Sequence, residues 1–212
     1  MGLKAHDTQK LTYVQAENGK LYRSSDKERK EPYNELVGMI SNIYYKEETF
    51  NGKTVEKTYF VVSSPEGDEE FAINFAVGSK QWAEFISFLK SVDLTSEVTI
   101  SAGIEKDKDG TPKLSAKGNT LSKFFVSNTG SKAKAFYKKD GDNQLPPWKK
   151  VKVGKNEIDD KSEWEDALRA DVDEMSKKVG SNTPTYKPNS PAANMSVVEP
   201  ETFTPSDDDL PF

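Results

Sequence analysis

Side chains able to do covalent or acid–base chemistry are scarce in this chain of 212 residues. Cysteine is absent and histidine occurs once, as His6. That removes thiol nucleophiles, disulfides and Cys/His zinc sites. Asp159, Asp160, Glu163 and Glu165 crowd together and could suggest a metal cluster. A solvated helix start explains them better, because negative charge is favoured in the first turn. No phosphate-binding loop, nucleophile elbow or HExxH pattern occurs. The chain therefore reads as a non-enzyme, with no catalytic residue, no metal ligand and no cofactor.

Binding chemistry is better represented. Aromatic residues alternate with lysines in Tyr44-Tyr45-Lys46, Lys57-Thr58-Tyr59-Phe60, Lys123-Phe124-Phe125 and Lys134-Ala135-Phe136-Tyr137-Lys138-Lys139. Unpaired bases stack on aromatic rings, at about 1–3 kcal/mol each, while lysines neutralise phosphates. The arginines are Arg23, Arg29 and Arg169 alone. Lysine acts as a point charge, not a two-pronged base reader, which suits binding with little sequence preference. The candidate contacts are Tyr44, Tyr45, Lys57, Tyr59, Lys117, Lys123, Phe125, Lys134, Phe136 and Lys138. Strand aromatics are as often core, and alternation turns about half of them inward.

The net charge of −5 conceals segregation. Residues 105–155 hold 13 lysines against five acids. Residues 181–212 hold one lysine against five acids. Phosphates respond to the local patch more than to the sum.

The acidic stretch ends in Asp207-Asp208-Asp209-Leu210-Pro211-Phe212. Such a tip offers an aromatic anchor with negative charge beside it. A basic-rimmed apolar pocket on another protein could take Phe212 while Lys or Arg pairs with the acids. Pro211 limits the entropy lost on docking.

The elements that would position these residues follow from turn signals and periodicity. Asn18-Gly19, Asn51-Gly52, Asp109-Gly110 and Asp140-Gly141 are hairpin signals. They predict a first hairpin of 10–15 with 20–24 and a second of 35–46 with 54–63. Gly38 predicts a bulge or bend in the first long strand. Phe71, Ile73 and Phe75 alternate through a third strand over 69–76. Trp82, Phe85, Ile86 and Leu89 take helical spacing within 79–92, with Ser79 as cap. Alternation returns over 98–104, and the Asp109-Gly110 turn predicts pairing with 113–117. Further strands are expected at 123–127 and 134–138. Pro146-Pro147 breaks the chain before 148–153, where Trp148 reads as a packing anchor. A second helix is predicted over 159–179. The fold class is mainly β: a five-stranded antiparallel barrel of the OB type, one helix between strands three and four, extra hairpins and a C-terminal helix. Residues 1–180 form that domain. Residues 181–212 are rich in Ser, Asn, Thr and Pro and read as a disordered linker with its tip.

Tip, barrel order and spacer together resemble the bacterial and bacteriophage single-stranded DNA-binding proteins. The tip's combination of residues carries the resemblance; over the barrel it is one of layout. The long segment 119–179 departs from the short bacterial form and is more similar to a phage-encoded variant. The resemblance implies coating of single-stranded DNA in replication, recombination and repair. It implies recruitment of partner proteins through residues 207–212, a location in the bacterial cytoplasm or nucleoid, and a possible homo-oligomer. No run of apolar residues is long enough for a membrane span. Two other readings are an adaptor whose barrel binds protein, and, on the acidic helix start alone, a nuclease.

Overall fold

The computed structural model describes residues 11–50, 52–115, 118–138, 143–153 and 156–180. His6, Lys117, the Asp140-Gly141 turn and residues 181–212, including the tip, lie outside them. Among the described residues, nine strands and two helices follow in chain order: β1 (Leu11–Glu17), β2 (Lys20–Arg23), β3 (Glu35–Phe50), β4 (Lys53–Ser63), β5 (Glu70–Ala76), α1 (Lys80–Leu89), β6 (Val98–Ile104), β7 (Ser122–Asn128), β8 (Lys149–Val153), β9 (Asn156–Asp160) and α2 (Ser162–Gly180). The chain is mainly β, as its turn signals predict. Among the described residues, no helix is long and apolar enough to cross a membrane.

Seven strands form one nearly closed, barrel-like sheet in the order β2-β1-β5-β4-β3-β6-β7. Five antiparallel strands were expected. The first hairpin adds two more by joining the same sheet, and β1 runs parallel to β5 over Leu11–Tyr13. Asn18 and Gly19 take φ of 48° and 73°, the left-handed pair that a tight two-residue hairpin turn requires. That turn lies against β6 and β7, where Gly19 N–H donates to Ser122 Oγ at 3.0 Å.

β3 changes partner along its length. Residues 35–38 pair with β6 and residues 39–50 with β4. Gly38 stands at the change, where a Cβ would come within 2.2 Å of the Ser63 carbonyl oxygen. The register then slips between Ile40 and Asn42. One glycine and one bulge thus bend a 16-residue strand around the barrel.

The core lies between the sheet's inner face and the two helices. Ile43, Phe60, Val62, Ile73 and Phe75 meet Trp82, Phe85, Ile86 and Leu89 of α1. Ser79 caps α1 by accepting from Trp82 N–H at 3.2 Å. Trp82 Nε1–H donates to the buried Thr58 Oγ1 at 2.9 Å, so the indole's polar end is satisfied inside the core. α2 adds Trp164, Leu168, Val172, Met175 and Val179 to the same core.

Three expectations are corrected. Among the described residues of the predicted strand, 113–115 do not pair with β6; β7 does, along its full length. Among its described residues, the intervening chain makes only isolated bridges, Lys106 with Pro112 and Leu114 with Thr120. Proline lacks the N–H that would extend such a ladder. Residues 134–138 are not a strand: Phe136 N–H donates to Ser87 O and Tyr137 N–H to Ser87 Oγ of α1, both at 2.8 Å, and Lys138 N–H to Asn143 O at 2.9 Å. Asp159 and Asp160 lie in β9, not at the helix start. They stand opposite Lys150 and Lys149 of β8, and the helix begins at Ser162, whose N–H binds Asp160 Oδ1 at 3.0 Å.

Candidate nucleic-acid interface

Strand alternation gives the β3–β4 hairpin two faces. Residues directly opposite in a ladder point the same way. Ile43 opposite Phe60 and Tyr45 opposite Thr58 face inward. Tyr44 opposite Tyr59, and Lys46 opposite Lys57, therefore face outward. The rows continue across the sheet: Tyr59 is opposite Asn74 and Lys57 opposite Ala76. Tyr13 of β1 joins from beside Ala72.

On this outer face Tyr44 and Tyr59 stack with centroids 5.1 Å apart and planes 4° apart. Tyr13 meets Tyr59 edge-on at 6.2 Å. Tyr59, one of the expected contacts, is 1% exposed. It is the floor on which Tyr44 and Tyr13 rest. Tyr44 is half-buried and Tyr13 is 39% exposed.

Glu48 organises the charges. Lys46 and Lys57 stand directly opposite, a repulsive arrangement in a sheet. Glu48 pairs with both, at 2.8 Å to Lys57 and 3.6 Å to Lys46, and also accepts from Tyr59 Oη. Burial favours the neutral form of Glu48, but the hydrogen bonds from Lys57 and Tyr59 outweigh it and hold the carboxyl below its ordinary value. Burial, then the Glu48 carboxylate, push the Tyr59 phenol up. A carboxylate bridging two lysines beside stacked rings is what a phosphate beside stacked bases would replace.

Tyr45, also an expected contact, faces the other way. It packs on the core beneath α2, with the Arg169 guanidinium 5.4 Å from its ring. Burial, and then the negative charge of Asp173, push its phenol up to about 12. Arg169 also pairs with Glu56 of β4 and Glu165 of α2, tying the helix over this inner face.

The remaining candidates form a second group. Phe125 projects from β7, meets Phe88 at 5.4 Å and lies under Lys123 Nζ at 5.0 Å. Gly103 makes room for it, since a Cβ there would come within 2.6 Å of Phe125 Cε2. Phe136 is half-buried beneath Lys90 Nζ at 4.9 Å. Its segment is clasped to the helices by Tyr137, which donates to the buried Asp171, itself paired with Lys90. Lys134 and Lys138 flank Phe136 and are exposed. Trp148 meets Trp164 edge-on at 6.1 Å, under Lys161 at 4.2 Å.

The predicted residues thus divide between two places. Tyr44, Tyr59 and Lys57 come together on β3–β4. Lys123 with Phe125, and Lys134 and Lys138 with Phe136, lie on β7 and against α1. Among the described residues, Lys123, Lys134 and Lys138 have no ion pair, whereas Lys57 and Lys90 do. Sequence reasoning missed Tyr13, Glu48 and Asn74, and named Lys46 only within Tyr44-Tyr45-Lys46, not among the candidate contacts. Lys46 and Glu48 share the parity of Tyr44, so alternation could have found them; nothing local announces that β1 lies beside β5. Comparison with protein-family models, curated proteins and solved structures returned no match.

Proposed function

We propose that this chain binds single-stranded DNA with little sequence preference, coating it during replication, recombination and repair. The carrying observation is the outer row of Tyr13, Tyr44 and Tyr59 beside Lys46 and Lys57, on a sheet whose other face is sealed by two helices. The order β3, β4, β5, α1, β6, β7 supports reading the barrel as an OB fold with an added N-terminal hairpin. The second and third strands of that order are β4 and β5, and in OB folds this face takes oligonucleotides. Lys123, Lys134 and Lys138, which have no ion pair among the described residues, supply charge for the backbone. Recruitment of partner proteins falls to residues 207–212.

Titration of intrinsic fluorescence with oligo-dT tests the reading, with duplex DNA as control. Tight, salt-weakened binding of the single strand is the expected result. Equal or absent binding of both would sink it and favour the adaptor. Deleting residues 207–212 should leave or raise DNA affinity while abolishing capture of partner proteins.

A further inference from the structure

β8 and β9 form a two-stranded sheet separate from the barrel-like one. Residues 149–152 and 157–159 are exposed. Among the described residues, no backbone group on either outer edge is hydrogen-bonded elsewhere. Two strands alone are marginal in water, and open edges present unpaired N–H and C=O groups. One edge is cationic, KKVKV, and the other acidic, NEIDD. Inside the hairpin these signs already match: Lys150 faces Asp159 with a 2.6 Å ion pair, and Lys152 faces Glu157. Val151 faces Ile158, and the two remain 39% and 50% exposed.

We propose that this hairpin docks a second copy of the chain, β8 of one molecule pairing antiparallel with β9 of the next. Charge selects the pairing. Two β8 edges would set lysine against lysine, and two β9 edges acid against acid, both repulsive. β8 against β9 repeats, between molecules, the pairs made within the hairpin. It also extends the Val151–Ile158 apolar pair into a continuous stripe. The contact is heterologous, so it propagates head to tail and does not close as a two-fold dimer. A nucleic-acid strand is the poorer occupant, because it has no row of N–H and C=O groups to pair with the open backbone edges. Given the function proposed above, such contacts would join neighbouring molecules along one DNA strand.

The chain has no cysteine of its own, so single-cysteine variants report the contact cleanly. Full-length Val151→Cys and Ile158→Cys proteins, mixed and oxidised without DNA, should give several-fold more disulfide-linked dimer than either alone. Equal cross-linking of either variant with itself would overturn the head-to-tail pairing, and so would no cross-linking in any mixture. Sedimentation velocity of the wild-type chain provides a check free of substitution at the edge. It should show concentration-dependent growth past a dimer, lost in Lys150→Glu; a monomer at every concentration would also overturn the proposal. DNA is left out of both measurements. A chain that cross-links but ignores oligo-dT therefore keeps this inference and loses the DNA reading.

Discussion

Tyr44 and Tyr45 are neighbours in sequence and opposites in role. Tyr44 lies on the outer face of β3, stacked on Tyr59 among lysines and their bridging acid. Tyr45 lies on the inner face, under Arg169 and against the core. One residue along a strand reverses the face, and α2 covers only one of the two. The inner face is fixed by packing. The outer face is left to aromatic rings and adjustable ion pairs, which is where a ligand can exchange contacts without disturbing the core.

The contrast breaks first if stability and binding fail to separate. Phe60→Ala empties a fully buried inner position. It should cost about 3–5 kcal/mol of stability in denaturant unfolding. Tyr44→Ala should leave the unfolding midpoint nearly unchanged and weaken oligo-dT binding by about 1–3 kcal/mol, the value of one stacked base. If Tyr44→Ala unfolds the protein and spares binding, the outer face is merely packing.

Much of this arrangement was legible in the residues. Asn18-Gly19 marked a hairpin, Gly38 a bend, and Trp82, Phe85, Ile86 and Leu89 a helix, because each signal acts over a few residues. The errors arose where distant partners decide. Residues 134–138 look like a strand locally, yet Ser87 takes the backbone donors of Phe136 and Tyr137. The alternation of β3 shows that Tyr44 and Tyr45 must part, but not which is inner. That depends on α2, which follows more than a hundred residues later and reaches back through Arg169 to Glu56.

Tyr45 allows a finer cut. Its hydroxyl oxygen is buried without a hydrogen-bond partner. Tyr45→Phe removes that unsatisfied group and keeps the ring. It should be neutral or stabilising, by up to about 1 kcal/mol, and leave DNA affinity unchanged. Lost affinity would place Tyr45 on the binding side after all.

Glu48 gives the smallest effect and the most specific one. It holds Lys46 and Lys57 in check on the outer face. Glu48→Gln should tighten oligo-dT binding about 2–5-fold, the scale of a partly exposed ion pair. It should also steepen the salt dependence, because freed lysines can take phosphates. The same carboxylate carries a pH signature. Its native value lies below the ordinary 4.5, because the charged form is hydrogen-bonded by Lys57 and Tyr59. A depressed carboxyl adds stability above the unfolded value, and that stability disappears as pH falls through the native one. Wild type should therefore lose more stability than Glu48→Gln as pH falls below about 4.5. Matching acid profiles, with no gain in DNA affinity, would mean that the carboxylate neither restrains the lysines nor marks where a phosphate enters.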